Sequence, residues 1–188
     1  MNMNMNIRST RKIVHEDLLN MCKERDPQAQ MQIYKLYYKA MYNTSLYIVG
    51  DAAEAEDIMQ EAFLKAFDML PKTDLTLGFG GWLKKIVVNK SLDLVRKRKI
   101  HFEEVDELKD DRIDESSIEE NAESISEKIR MVKRAMSKLP EKYRTVLSLN
   151  LIEGYDHEEI SSLLGITTST SRAQLSRGKQ KLLAILKN

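Results

Sequence analysis

Residues 156–187 read DHEEISSLLGITTSTSRAQLSRGKQKLLAILK. Asp156 and Glu159 stand in the D-x-x-E spacing of a capping box, which starts a helix. Ile160, Leu163 and Leu164 supply its apolar face. Gly165 breaks it, Ile166 can plug the corner, and Thr167 can cap a second, longer helix. A short helix, a Gly-containing turn and a longer helix is the spacing of a helix-turn-helix. In the second helix Leu175, Leu182, Leu183 and Leu186 form the predicted inner face. Ser171, Arg172, Gln174, Ser176, Arg177 and Lys179 are left outward. From Ile166 to Asn188 there is no carboxylate, while Arg172, Arg177, Lys179, Lys181 and Lys187 appear. A carboxylate-free surface suits approach to a polyanion, and Arg, Gln and Ser are side chains that bond base edges and phosphates. A solvated amphipathic helix with a basic bias would share this composition. The capping box, the turn glycine and the charge bias together favour nucleic acid over it.

The rest of the chain is consistent with a helical, charge-rich protein. Charged residues make up 31% of the 188 positions, and only seven Gly and three Pro interrupt them. Period-two runs of β-branched and aromatic residues are scarce, which predicts an all-α fold. No apolar run approaches the roughly 20 residues needed to span a bilayer. MNMNMNIRST lacks the apolar segment of a signal peptide and reads as a disordered leader, residues 1–12. Cys22 is the only cysteine, so no internal disulfide is available. His15, His101 and His157 are far apart, and no metal-site spacing is present. These features predict a cytoplasmic protein with no cofactor.

The net charge of +1 conceals segregation. Lys84, Lys85, Lys90, Arg96, Lys97, Arg98 and Lys99 face Asp93 alone within one block. A run of carboxylates follows from Glu103 to Glu127, opposed only by Lys109 and Arg112. Different parts of such a chain meet different partners. The acidic stretch lacks a continuous apolar stripe and is read as a flexible linker over residues 101–125. It separates a first domain, 13–100, from a second, 126–188.

Along the first domain a short helix is predicted from Glu16 to Cys22, and a long one from Pro27 to Val49 that ends at Gly50. Asp51 caps the next helix, in which Ile58, Met59, Ala62, Phe63, Ala66, Phe67 and Leu70 form one stripe. Pro71 ends that helix. PKTDLTLGFGG is a loop, and WLKKIVVNKSLDLVRKRK resumes the helical period. In the second domain, a helix from Ile125 to Lys138 precedes LPEKYR, and another is predicted to run on to Gly154.

Taken in order, DAAEAEDIMQEAFLKAF, FGGWLKKIVVNKSLDLVRKRK, an acidic linker and LPEKYRTVLSLNLIEGYDHEEISSLLGITTSTSRAQLSRGKQKL resemble a bacterial RNA polymerase sigma factor of the sigma-70 family. The small size and two-domain order are similar to the extracytoplasmic-function (ECF) group. The resemblance covers about Tyr34 to Leu186. It implies a region 2 bundle and a region 4 helix-turn-helix joined by the linker. Region 2 would dock on a coiled coil of the largest subunit of core polymerase through EDIMQEAF, with Asp57, Gln60, Glu61 and Leu64 as contacts. The same region would bind and open the −10 element through Phe79, Lys84, Lys85, Asn89, Lys90 and Arg96. Asn89 matches a family position near the flipped base, and Asp74 and Thr76 are further loop candidates. Trp82 has the spacing of a core residue. Region 4 would read the −35 element with Thr168, Thr170, Arg172, Ala173, Gln174, Ser176, Arg177 and Lys179. Gln174, Ser169 and Ser176 depart from the commoner family residues and bear on base preference. An anti-sigma factor, often membrane-anchored in the family, is a further implied partner. The linker would thread toward the polymerase cleft or serve as a spacer.

Two other readings stay open at this level. A helix-turn-helix regulator with an N-terminal sensing domain would share the tail but needs a ligand pocket and a dimer seam. An adaptor that binds a sigma factor would not need a basic tail. No Gly-rich phosphate loop, no His paired with a nucleophile and no metal cluster points to catalysis.

Overall fold

The computed structural model describes residues 16–73, 78–103 and 125–187. The leader, the loop candidates Asp74 and Thr76, and linker residues 104–124 lie outside them. Every regular element among the described residues is helical.

Local chemistry sets the helices of the first lobe. Helix α1 covers residues 16–23. Helix α2, Pro27–Val49, starts where the Asp26 carboxylate accepts the Ala29 N–H at 2.7 Å and Pro27 presets the first turn. It ends at Gly50, whose φ of 79° is left-handed and whose N–H bonds the Leu46 carbonyl. Helix α3, Ala52–Met69, is capped by Asp51 and ends in a 3-10 turn, Leu70–Lys72, that holds Pro71. Helix α4 spans Phe79–Glu103. The predicted stripe on α3 is the buried one: Ile58, Met59, Ala62, Phe63 and Ala66 face α2 and α4. Cys22 is buried in this core. Burial, with Asp26 nearby, pushes its thiol up to about 11, so it is a proton-bearing core side chain and no nucleophile at neutral pH.

The second lobe holds α5 (Ile125–Ser137), α6 (Glu141–Leu147), α7 (His157–Leu164) and α8 (Thr168–Lys187). Both parts of the predicted capping box are made: Asp156 accepts from the Glu159 N–H, and Glu159 accepts from the Asp156 N–H. Gly165 takes a left-handed φ of 63° at the turn, and Thr167 Oγ1 accepts the Thr170 N–H. The sequence predicted one helix up to Gly154. Instead α6 gives way to a π-turn, Ser148–Ile152, closed by the Glu153 N–H on the Ser148 carbonyl at 3.0 Å. Of the predicted inner leucines of α8, Leu183 is 57% exposed, and Ile185 packs inward beside Leu182.

The two lobes meet where α6 and the π-turn abut the C-terminal end of α2, and the buried side chains of both lobes run together there. Beside this cluster, polar groups cross the seam. Arg144 lies in it, donating to the carbonyls of Val49 (2.8 Å) and Leu139 (3.1 Å). Burial pushes its guanidinium below the ordinary value, against the pull of Glu141.

Candidate nucleic-acid and polymerase interface

The predicted polymerase contacts fall on one strip. Asp57, Gln60, Glu61 and Leu64 recur at helical spacing on α3, and all four are exposed, opposite the stripe that packs into the core. Leu64 is 68% exposed, an apolar side chain among acidic and amide groups. Glu61 is held by Lys90 Nζ at 2.6 Å, and this bond and charge keep its carboxyl below the usual carboxylate range. Gln60 donates to Glu56 at 3.3 Å.

The predicted −10 residues divide. Lys85 and Asn89 are exposed on α4 one turn apart. Lys84 pairs with Glu153 at 2.9 Å, Lys90 with Glu61, and Arg96 with Asp93 at 2.7 Å. Arg96 also donates to the Leu163 carbonyl of α7. Phe79 corrects the expectation. It is 2% exposed and packs its ring on Tyr37 at 5.3 Å and on Trp82 at 5.9 Å. The residue expected in the loop, among the −10 contacts, is the first residue of a helix, held in the core by two aromatic neighbours. Trp82 packs against the same core, as its spacing predicted.

The predicted −35 residues lie on α8. Arg172, Ala173, Ser176, Arg177 and Lys179 are exposed, whereas Thr168, Thr170 and Gln174 are half-buried. Arg172, Ala173, Ser176 and Arg177 share one face by helical spacing. Among the described residues no carboxylate pairs with Arg172, Arg177 or Lys179. Thr170 is engaged at 2.9 Å with Thr167, so its hydroxyl serves the turn. Ser171 is buried and meets His157 Nδ1 at 2.9 Å, tying α7 to α8 and fixing the angle at which the outward face is offered.

Sequence reasoning missed the neighbour of that face. Lys142 and Tyr143 of α6 join Ser169, Thr170, Ala173, Gln174 and Arg177 around a shallow concavity of about 250 Å³. Lys142 and Lys181 each place an ammonium near the Tyr143 ring, at 5.3 and 5.8 Å. The outward face is therefore flanked by additional cations. Lys142 follows Glu141 in LPEKYR, so the local sequence carries no charge bias to mark it.

No helix among the described residues is long and apolar enough to cross a membrane, and no cluster of His, Cys, Asp or Glu there could hold a metal.

Residues 33–100 match the family model Sigma-70 region 2, and residues 129–182 match Sigma-70, region 4. The chain is 29% identical over 168 residues to the ECF RNA polymerase sigma factor SigW of Bacillus subtilis (strain 168), covering 85% of this chain and 90% of that one. It is 30% identical over 138 residues to the RNA polymerase sigma factor SigZ of the same organism, covering 73% of this chain and 76% of the relative. In fold it is similar to the sigma factor RpoE of Bartonella quintana, solved in complex with the anti-sigma factor NepR. That likeness has a TM-score of 0.55 and 22% identity, over 84% of this chain and 96% of the other. Two regions matched in order and relatives matched over most of both chains lead to one assignment: the chain belongs to the sigma-70 family of RNA polymerase sigma factors, in its extracytoplasmic-function group.

Proposed function

We propose that this protein is a dissociable initiation subunit that acts in the cytoplasm. It binds core RNA polymerase through Asp57, Gln60, Glu61 and Leu64, reads a −35 element with α8, and engages the −10 element with α4. The observation that carries this reading is the presence of both matched regions, in order, on one chain. A regulator with a sensing domain would need only the helix-turn-helix.

Each role follows from side-chain chemistry. Arg172 and Arg177 can make paired bonds to base edges in the major groove, while Lys179, Lys142 and Lys181 act on phosphates. Lys85 and Asn89, joined by Lys84, Lys90 and Arg96 once these leave their present partners, follow a separated strand. Opening of the duplex draws on the binding energy of unstacked bases, with no hydrolysis by this chain. Phe79 is left out of that role. Catalysis rests with the polymerase, and this chain supplies no catalytic group or cofactor. Its partners are core polymerase, promoter DNA and an anti-sigma factor.

Transcription from genomic fragments by core polymerase, with and without the chain, tests the reading. New, discrete 5′ ends are expected only in its presence. Replacing Gln60 and Glu61 by Ala should weaken capture of core polymerase and spare DNA binding. Replacing Arg172 or Arg177 by Ala should do the reverse, each losing about 1–3 kcal/mol of discrimination at one base pair. An unchanged set of transcripts on adding the chain rejects the proposal.

A further inference from the structure

Five consecutive hydroxyl side chains, Thr167 to Ser171, form the turn and the first residues of α8. Four of them are spent on the fold or withdrawn from solvent. Thr167 and Thr170 bond each other at 2.9 Å, and Thr167 also accepts the Thr170 N–H. Ser171 is buried against His157, and Thr168 is half-buried. Ser169 differs from all four. It is exposed, and its hydroxyl makes no hydrogen bond among the described residues. It lines the concavity that also holds Lys142 and Arg177. Lys181 stands near it, its ammonium 5.8 Å from the Tyr143 ring of the same concavity. Among the described residues no carboxylate pairs with any of these three cations. A hydroxyl with no task in the fold thus sits among positive charge that has no counter-ion.

We infer that Ser169 is a phosphorylation site, and that its phosphate, held by Lys142 and Arg177, switches off the −35 face. The step is phosphoryl transfer from ATP by a serine/threonine kinase. The bond from Ser169 Oγ to the γ-phosphorus forms as that phosphorus parts from its bridging oxygen. ADP leaves, and the hydroxyl proton passes to a base of the kinase. Hydrolysis by a phosphatase restores the hydroxyl and releases inorganic phosphate. Access asks little of the fold. Ser169 is the second residue of α8, in a turn whose N–H groups lack partners within the helix, so extending it breaks few bonds. The product is stable where it forms, because a phosphoserine carries about −1.5 to −2 charges and is favoured at a helix start beside Arg and Lys. The consequence for DNA is electrostatic. Residues 166–188 contain no carboxylate, so the phosphate is the first acidic group in that stretch. It neutralises Lys142 and Arg177 and repels the DNA backbone. The polymerase strip on α3, in the other lobe, is untouched. This consequence rests on the −35 reading above; the modification itself does not.

The test uses the full chain. Protein isolated from its native cells, growing and starved, should include a fraction with one phosphate on the peptide that holds residue 169, and Ser169→Ala should abolish it. Phosphoserine placed at 169 during translation gives a uniform modified form. Phosphorus NMR should show its second proton leaving below the usual value of about 6, and Lys142→Ala should return it toward that value. At about 0.15 M salt the modified form should bind a mixed-sequence duplex roughly thirtyfold more weakly than the unmodified one, because two phosphate contacts, each with a salt slope of about 0.9, are lost. Its salt dependence should be shallower by about two. Both forms should capture core polymerase equally and keep the same helix content by far-UV circular dichroism. Absence of phosphate at residue 169 in both cell states, or a phosphoserine that titrates at the usual value, overturns the site. Equal DNA affinity and slope, or loss of helix content in the modified form, overturns the switch. If neither form binds DNA the −35 reading fails, while the mass and NMR measurements still decide the site.

Discussion

A methyl group at position 50 would meet the Arg144 guanidinium carbon at 2.3 Å. The same residue holds a φ of +79°, which a side chain disfavours. Gly50 is thus fixed twice, by the left-handed turn that ends α2 and by the arginine packed over it. We predict that Gly50→Ala costs about 1–3 kcal/mol for the backbone alone, with a further loss as Arg144 is displaced. Gly165→Ala removes a glycine of the same conformation with open space around it, so it reports the backbone part alone. Chemical denaturation of the two variants measures the difference. A Gly50→Ala protein no less stable than Gly165→Ala would reject the close packing. Sequence alone carried half of this, since a Gly after a long helical stripe signals a left-handed cap. It could not carry the other half, because nothing in LPEKYR distinguishes Arg144 from the exposed Lys142.

Among elements, the helix-turn-helix depends on its short first helix. With eight residues, α7 is too brief to be stable by itself, and its start is secured by the Asp156–Glu159 reciprocal cap. Asp156→Ala should cost about 1 kcal/mol, and α8 should lose the orientation set by Ser171 and His157. Amide hydrogen exchange should then quicken in α7 and the following turn while α2 and α3 keep their protection. Uniform loss of protection through both lobes would contradict this local role. The cap, the turn glycine and the bounds of α2 were legible in the sequence because each has a residue signature at fixed spacing. The π-turn was not, since apolar periodicity does not tell an i→i+4 bond from an i→i+5 one over a single turn. The same limit explains Leu183 and Phe79. A shift of the inward face by two residues, about half a turn, near the end of α8 exchanged Leu183 for Ile185. Phe79 sits among glycines that read as loop, yet Tyr37 and Trp82 draw it into the core and start a helix there. On the polymerase strip and at Arg172, Ser176, Arg177 and Lys179 exposure agrees with the positions expected to be outward, whereas Ser171, also expected outward, is buried and Gln174 is half-buried, and the pairing of Lys84 and Lys90 depends on neighbours distant in sequence.

At the scale of the molecule, one side chain governs whether the lobes unfold together. Buried apolar side chains of both lobes form one cluster, and polar bonds cross the seam beside it. Arg144 contributes most by geometry: its guanidinium spans its own lobe through Leu139 O and the other through Val49 O, and it is nearly excluded from water. Removing it leaves an acceptor at the end of α2 and Glu141 short of a donor, although Arg98 still reaches Val49 O at 3.0 Å and moderates the loss. Breaking a buried charged group of this kind costs on the order of 3 kcal/mol. For a chain of this size that is roughly 6–12 °C in melting temperature. Coupled lobes give one calorimetric transition whose van't Hoff and calorimetric enthalpies agree. We therefore expect a single transition in the wild type and, in Arg144→Ala, two transitions with the helix-turn-helix lobe melting first. Arg144→Lys keeps the charge but cannot bridge both carbonyls in a planar fork, so it should resemble Ala more than Arg. A wild type that already melts in two steps, or an Arg144→Ala protein with one unshifted transition, would mean that the lobes are coupled by their apolar contact and that the arginine only fills space.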